Sequence, residues 1–178
     1  YYPENLEVIE QCGGKPVEFS PLYDETLPEG AKGLILGGGY PELYAEELSA
    51  NTAMRLEIQK AIREGMPCLA ECGGFLYLQE ELEDVNGKIY PMAGVIRGVG
   101  YPRRKLTRFG YLTLTVEEDT LYLKKGEQIR GHEFHYFDST ENGTDCVAKK
   151  PTGNRRWECV WEGENHWWGF PHLYYPSN

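Results

Sequence analysis

The chain has 178 residues, of which 40% are hydrophobic and 26% are charged, and its formal net charge is −10 at pH 7. This length is enough for one domain with a sizeable core, and the composition is that of an ordinary globular protein. The acidic balance argues against a nucleic-acid partner, because binding phosphates needs clustered Lys and Arg. One basic cluster runs against this trend and is interpreted either as a solvated loop or as a contact for an acidic ligand; it consists of Arg97, Arg103, Arg104, Lys105 and Arg108.

The five cysteines form neither a CxxC pair nor a zinc-ligand spacing. This pattern predicts a reducing, cytoplasmic setting and no metal site. No apolar run is long enough to span a bilayer and no charged-then-apolar leader is present, so we expect no membrane association. The chain starts at Tyr1 rather than at a methionine, so we expect a single domain, residues 1–178, cut from a longer protein.

The first hundred residues alternate between helix and strand patterns. Helices are predicted over residues 6–12 and 75–82. A further helix is predicted between Asn51, as its N-cap, and Gly65, which ends it. Short strands are predicted over residues 16–20, 32–36 and 67–71, and the last two contain the unbroken apolar runs typical of strands buried on both faces. We expect the three strands to lie parallel and adjacent in an open, mostly parallel α/β sheet flanked by helices.

The second half changes character. Short segments with a β-branched or aromatic bias are separated by Gly, Asn and Asp turns. They cover residues 90–96, 111–116, 132–137, 146–149 and 157–161. We predict that they are antiparallel strands added at the edge of the parallel sheet.

Cys72 stands apart from the other cysteines because of its neighbours. It follows the strand predicted over residues 67–71 and precedes Gly73-Gly74, which open a helix. This is the arrangement of a nucleophile elbow, a sharp turn that exposes a reactive side chain at the carboxyl end of a sheet. A helix N-terminus beside the sulfur is expected to favour the thiolate. A buried structural cysteine at a strand end is the alternative.

A second glycine-rich loop, Gly37-Gly38-Gly39, follows the strand predicted over residues 32–36. Loops at this end of an open α/β sheet line the ligand crevice, and closely spaced glycines can direct N–H groups at an oxyanion. The phosphate-binding patterns GxxxxGK[ST] and GxGxxG are absent. A plain tight turn is the alternative.

Each of the four histidines is a possible base: His132, His135, His166 and His172. His132 and His135 are three residues apart on a predicted strand, so they face opposite sides and are not expected to share a metal. The residues alone do not choose among the four.

Four motifs together resemble one family. They are Gly37-Gly38-Gly39-Tyr40-Pro41-Glu42, Ala70-Glu71-Cys72-Gly73-Gly74, Gly131-His132-Glu133-Phe134-His135 and Pro171-His172-Leu173. In this order and spacing they are similar to the carboxy-terminal glutaminase domain of cobyrinic acid a,c-diamide synthase, a class I, triad-type glutamine amidotransferase of the branch shared with cobyric acid synthase. The resemblance covers essentially the whole chain.

The resemblance implies L-glutamine as substrate and a partner domain in the same protein. An amino-terminal synthetase domain, absent here, would use ATP and magnesium to activate the a and c carboxylates of a corrin precursor. This chain would need no cofactor and would supply ammonia by an internal route.

The resemblance also implies roles for single residues. Cys72 would attack the carboxamide, and His172 would be the base and acid. The N–H groups of Gly38, Gly39 and Gly73 would hold the oxyanion. Class I enzymes usually carry His-x-Glu, yet Leu173-Tyr174 follows His172, so the group that orients the imidazole is open. Glu42 and Glu133 are candidates for it, and neither is favoured.

Three other hypotheses remain. The first is the same role in a related tetrapyrrole enzyme, such as a nickel-sirohydrochlorin or hydrogenobyrinic acid a,c-diamide synthase. The second is a cysteine hydrolase or peptidase on a related sheet, which would cleave amides without a partner domain. The third is a docking module that has lost turnover, which the presence of both Cys72 and His172 disfavours.

Overall fold

The computed structural model describes residues 2–119 and 123–178. Four α-helices are assigned within these ranges: α1 (Pro3–Gln11), α2 (Ala45–Ala50), α3 (Thr52–Arg63) and α4 (Gly73–Tyr77). The strands of the first hundred residues are β1 (Leu34–Leu36), β2 (Cys68–Glu71), β3 (Gln79–Glu83), β4 (Ile89–Pro91) and β5 (Ile96–Pro102). The later strands are β6 (Arg108–Val116), β7 (Gln128–His135), β8 (Phe137–Ser139), β9 (Cys146–Lys149), β10 (Arg156–Cys159), β11 (Trp161–Gly163), β12 (His166–Gly169) and β13 (His172–Leu173).

The main sheet has the order β1-β2-β12-β11. β1 pairs with β2 in parallel, as predicted, and β2 pairs with β12 in parallel as well. The strand predicted over residues 16–20 is wrong, because that segment has no strand and lies at the surface. Val17 there is 59% exposed, and Pro16 offers no N–H to a ladder. The third parallel strand is instead β12, which the sequence did not single out.

Two of the predicted helices are confirmed in place. α1 begins three residues earlier than predicted, with Pro3 in its first turn. Asn51 caps α3 as expected, because its side chain accepts a hydrogen bond from the Met54 N–H at 3.3 Å. Gly65, with φ of +97°, lies just beyond the end of α3.

The third predicted helix is wrong beyond Tyr77. α4 ends there, and residues 79–83 form β3, which pairs antiparallel with β4 and parallel with β5. Pairing on both sides of β3 outweighs the helical preference of its Gln and Glu residues. Gln79 and Leu82 are fully buried in this position.

Most strands of the second half are found at or near the predicted segments, but the single strand predicted over residues 90–96 is wrong, because β4 ends at Pro91 and β5 begins at Ile96. Most of these strands also do not extend the main sheet. They build a five-stranded sheet of order β10-β9-β6-β7-β13 and a four-stranded sheet of order β4-β3-β5-β8. Among the strands of the described residues, only β11 is an antiparallel addition at the edge of the main sheet. The segment predicted as one strand over residues 157–161 is broken at Val160, whose φ of +70° ends β10.

β2 and β12, in the middle of the main sheet, are covered on both faces, which explains the apolar run of β2. The expectation of burial on both faces is wrong for β1, an edge strand whose Ile35 is 42% exposed. Trp168 packs into a cluster with helix residues such as Phe75 and Ile58. Trp167 points to the opposite face and packs against the five-stranded sheet, with Leu112 and Leu173. The predicted α/β fold class, with antiparallel additions, is therefore confirmed. The carboxyl ends of β1 and β2 lie beside β13 of the five-stranded sheet.

Candidate active site

The sharp turn predicted at Cys72 is present. Cys72 follows β2 directly with φ of +48° and ψ of −103°, and Val160 is the other non-glycine residue with positive φ in the described part of the chain. The Cys72 N–H donates to the Gly169 carbonyl at 2.8 Å, and the Cys72 carbonyl accepts from the Leu76 N–H at 2.9 Å. Such a conformation costs about 1–3 kcal/mol and persists where the surroundings hold it. Here hydrogen bonds to β12 and within α4 hold it.

The glycines after Cys72 allow the Gly37-Gly38-Gly39 loop to approach closely. A Cβ on Gly73 would lie 2.6–2.8 Å from the backbone of Gly39, and one on Gly74 would overlap the Leu36 carbonyl oxygen. The Gly74 N–H donates to the Gly37 carbonyl at 3.0 Å. The glycine loop therefore lies at the same end of the sheet as Cys72, as predicted, and in contact with it.

Burial raises the pKa of the Cys72 thiol to about 12. The Gly73 N–H beside the sulfur lowers this pKa, whereas the carboxylates of Glu42, Glu133 and Glu71 raise it further. The start of α4 therefore favours the thiolate, as expected, but burial outweighs this effect, since α4 has five residues and Cys72 is only 7% exposed. Burial also raises the pKa of Cys68 and Cys159 to about 12. What distinguishes Cys72 is backbone geometry rather than acidity.

His172 lies on the far side of the same glycine loop. It begins β13, which pairs antiparallel with β7, and its side chain is 19% exposed. A Cβ on Gly38 would overlap Cε1 of the ring and would lie 3.1 Å from Nδ1 and 3.3 Å from Nε2. The loop thus contacts Gly73 through Gly39 and His172 through Gly38. Within residues 2–119 and 123–178 the His172 ring has no hydrogen bond to the Cys72 sulfur, so that direct contact stays a prediction.

Glu71, the residue before Cys72, faces the His172 ring. Its Oε2 lies 3.7 Å from His172 Nδ1, and its Oε1 accepts a hydrogen bond from the Leu173 N–H at 3.1 Å. The side chain is 3% exposed. Sequence reasoning missed this contact and treated Glu71 as part of a strand. The available signal was a carboxylate ending an apolar run, next to the nucleophile.

The two carboxylates that the sequence suggested for orienting the imidazole have other surroundings. Glu133 is fully buried, with its Oε2 3.5 Å from Nε2 of His135 and 3.9 Å from Nε of Arg108. Burial raises the pKa of Glu42, which lies in the short 3₁₀ turn after the glycine loop. Of the basic cluster noted in the sequence, Arg103 and Arg104 are exposed. Arg108 differs from them because its side chain is mostly buried beside Glu133.

The other three histidines occupy distinct positions. His132 lies opposite His172 in the β7–β13 ladder, and burial together with the His172 charge lowers its pKa. His135 points to the other face of β7, as predicted, where it stacks on Phe170 at 3.9 Å and donates from Nδ1 to the Phe137 carbonyl at 2.6 Å. His166 pairs with Cys68 at the start of β2. It is therefore about 10 Å or more along the strand from Cys72.

Asn5 ties the segment that carries His172 to α1. Its Nδ2 donates to the Leu173 carbonyl and its Oδ1 accepts from the Tyr175 N–H, both at 2.8 Å. The residue is 2% exposed. This buried side chain holds both sides of the segment just after His172, and nothing in the sequence pattern had singled it out.

Neither a metal-binding cluster nor a membrane-spanning helix is found among the described residues. No group of three or more His, Cys, Asp or Glu side chains within them is arranged to hold a metal ion. None of the helices in the described ranges is both long and apolar enough to cross a membrane.

Comparison with curated proteins identifies close relatives. The chain is 42% identical over 175 residues to a cobyrinate a,c-diamide synthase of Caldanaerobacter subterraneus subsp. tengcongensis, covering 97% of this chain and 39% of that protein. It is 40% identical to the cobyrinate a,c-diamide synthase of Salmonella typhimurium, covering 98% of this chain and 39% of that protein. The chain therefore spans about two fifths of the length of these relatives.

Solved structures share the fold. A glutamine amidotransferase superposes with a TM-score of 0.62 at 19% identity, covering 95% of this chain and 83% of the other. PurLQS from Thermotoga maritima gives a TM-score of 0.62 at 22% identity, with 95% and 80% covered. Residues 1–169 match the model of the CobB/CobQ-like glutamine amidotransferase domain. The chain belongs to this family of glutamine amidotransferase domains, as its sequence motifs predicted.

Proposed function

We propose that this chain hydrolyses glutamine through a thioester on Cys72 and supplies the ammonia to an amidation reaction. The proposal is supported mainly by the contacts at the carboxyl ends of β1 and β2. There the strained Cys72 turn and the His172 ring both meet the Gly37-Gly38-Gly39 loop. A nucleophile, a base and a set of backbone N–H groups are the parts that acyl transfer to sulfur requires.

The first half of the reaction forms the thioester. His172 accepts the proton of the Cys72 thiol as the sulfur adds to the glutamine side-chain carbonyl carbon. The raised thiol pKa means that this proton must be removed by a base at neutral pH, because little thiolate is present beforehand. The N–H groups of Gly38, Gly39 and Gly73 are proposed to stabilise the oxyanion. Loss of one such donor typically costs about 10²–10³ in rate.

Breakdown of this tetrahedral adduct completes thioester formation, and hydrolysis of the thioester follows. His172 returns the proton to the leaving nitrogen, so that the C–N bond breaks and ammonia departs. A water molecule, deprotonated by His172, then attacks the thioester carbon. The C–S bond breaks, glutamate leaves and the Cys72 thiol is restored. Each proton taken by His172 is returned within the same half-reaction.

The acceptor of the ammonia is proposed from the relatives. They are named cobyrinate a,c-diamide synthases and are longer than this chain. We therefore expect a synthetase domain in the same protein that uses ATP and magnesium to activate the a and c carboxylates of cobyrinic acid, in a cytoplasmic setting. A different tetrapyrrole would be selected in that domain rather than here.

The test is glutamine hydrolysis and product formation by the complete protein. Native protein should release glutamate from glutamine and amidate cobyrinic acid with ATP and magnesium. The Cys72→Ser and His172→Ala variants should lose both reactions with glutamine but should keep amidation when ammonium is supplied. Glutamine-dependent amidation by Cys72→Ser would refute the proposal. Amidation of another tetrapyrrole in place of cobyrinic acid would refute only the choice of acceptor.

A further inference from the structure

We infer that Glu71 orients His172 and takes the place of the carboxylate that the His-x-Glu pattern supplies elsewhere. This inference rests on the proposed cysteine mechanism. Glu71 is buried and lies 3.7 Å from His172 Nδ1 through its Oε2. Its other oxygen holds the N–H of the next residue, Leu173, at 3.1 Å. One carboxylate therefore fixes both the ring and the backbone of the segment that carries it.

The chemistry requires a particular form of the imidazole. To accept the thiol proton, His172 needs a free lone pair on one nitrogen and a proton on the other. A carboxylate facing Nδ1 favours the proton on Nδ1, which leaves Nε2 as the base, and it stabilises the imidazolium that forms next. Because Glu71 directly precedes Cys72 in the chain, the same strand end positions the nucleophile and the group that orients its base.

A purely structural role, as acceptor for the Leu173 N–H, is the competing explanation. Glu71→Gln separates the two, since the amide keeps an oxygen for Leu173 but presents an NH₂ group to Nδ1. That donor moves the ring proton to Nε2 and removes the base. Replacing the carboxylate by an amide in the Ser-His-Asp triad lowers kcat by about 10⁴, and we expect a loss of about 10²–10⁴ here. The KM for glutamine should change little.

The experiment compares Glu71→Gln with native protein in three measurements. In the variant, the glutaminase kcat should fall, whereas the rate of amidation with added ammonium should be unchanged. ¹⁵N NMR of the His172 ring should show the proton on Nδ1 in the native protein and on Nε2 in the variant. Glu71→Asp should recover part of the activity. A native kcat or an unchanged ring tautomer in Glu71→Gln would overturn the inference. Retention of glutaminase by Cys72→Ser or His172→Ala would instead overturn the proposed function.

A separate observation concerns an exposed row of rings, the aromatic strip, made of Phe109, Tyr111, Phe134 and Tyr136. These four are 60%, 74%, 38% and 51% exposed. They form a continuous series of edge-to-face contacts, with His132 between Tyr111 and Phe109, at centroid distances of 5.6–6.2 Å. Contiguous exposed aromatic surface of this kind is typical of binding sites rather than of free protein surface.

The aromatic strip shares a sheet face with His172. Tyr111 lies opposite His132 in the β6–β7 ladder, and His132 lies opposite His172 in the β7–β13 ladder. Directly opposite residues in a sheet point to the same face. The face therefore runs from the exposed rings to the proposed base, and ammonia formed at Cys72 is released beside it.

We propose that the aromatic strip docks the synthetase domain of the same protein. The curated relatives contain a further portion beyond the 39% of their length that this chain covers. Ammonia released into neutral water is protonated and loses its nucleophilicity, so a partner that covers this face protects the product. The proposal rests on the proposed transfer of ammonia, and it adds the surface on which the partner binds.

The test uses the complete protein with the double variant Tyr111→Ser and Phe134→Ser, which adds no charge near His172. Truncation of a hot-spot residue in an interface weakens binding by about 30-fold or more. We expect glutamine-dependent amidation to fall at least tenfold while free ammonia accumulates. The rates of glutamine hydrolysis and of ammonium-dependent amidation should be unchanged. The matched control is Tyr23→Ser with Leu56→Ser, two exposed residues elsewhere. Native coupling in the strip variant, or an equal loss in the control, would overturn the proposal.

Discussion

The Gly38 backbone lies against the His172 ring so closely that a Cβ on Gly38 would overlap Cε1. The next glycine is different, since a Cβ on Gly39 would meet nothing within 4 Å. A side chain at Gly38 would therefore collide with the proposed base, whereas a side chain at the adjacent Gly39 would not.

Gly38→Ala is expected to displace the His172 ring from Glu71 and to lower glutaminase kcat by about 10²-fold or more, the cost typical of misplacing a catalytic group by about 1 Å. Gly39→Ala, whose added methyl group enters open space, should lose much less. Steady-state kinetics and thermal unfolding of both variants provide the measurement. Equal losses of kcat in the two variants would contradict the proposed position of the base.

The choice of base among the histidines gives a second prediction. His172→Ala should abolish glutamine-dependent amidation while ammonium still serves as the nitrogen source. His132→Ala, which removes a neighbour of His172 on the same face, should retain substantial glutaminase activity. His135→Ala should mainly lower the free energy of unfolding, because the ring is buried against Phe170. If His132→Ala shows the pattern expected of His172→Ala, the base is assigned to the wrong histidine.

The raised thiol pKa of Cys72 gives a third prediction. Burial holds this thiol neutral below about pH 12, so without glutamine its thiolate fraction should rise tenfold per pH unit through neutral and mildly alkaline pH. Alkylation of Cys72 by iodoacetamide should follow that slope between pH 7 and pH 9. The exposed Cys12 is replaced by serine to remove its signal. A rate that is already constant at pH 7 would show a preformed thiolate and would contradict the burial argument.

Asn5 gives a fourth prediction, about the segment after His172. Asn5→Ala leaves the Leu173 carbonyl and the Tyr175 N–H without their partner, at about 1–3 kcal/mol for each buried group. Urea unfolding should therefore show a loss of about 2 kcal/mol or more, accompanied by a lower kcat. Asn51→Ala is the matched control, since it removes the cap of α3 at about 1 kcal/mol. The control should not change kcat. A native kcat in Asn5→Ala would show that this tie is structural only.

Local patterns in the sequence predict the parts of the site that depend on neighbouring residues. The apolar run of β2 followed by Cys72-Gly73-Gly74 indicates the elbow, and both glycines are explained by the close approach of the glycine loop. The pairing partners were harder to predict. β12 joins β2 although it lies about one hundred residues later, and β3 replaces a predicted helix because it gains a strand on each side.

The group facing the imidazole was missed for the same reason. The residues after His172 offer no carboxylate, and the sequence suggested Glu42 and Glu133 as candidates. The contact instead comes from Glu71, 101 residues earlier, because β13 returns to the end of β2. Such a contact depends on the register of the whole fold and has no local signature.

The central claim is that Cys72 carries the glutamyl group, and active-site labelling tests it most directly. The protein is incubated with 6-diazo-5-oxo-L-norleucine, a glutamine-mimicking electrophile, and the modified peptide is mapped by mass spectrometry. One adduct is expected, on Cys72, and its formation should be blocked by excess glutamine and should parallel the loss of glutaminase activity. The buried Cys68, Cys146 and Cys159 should stay unmodified. An adduct on another residue with Cys72 unmodified, at full loss of activity, would contradict this claim.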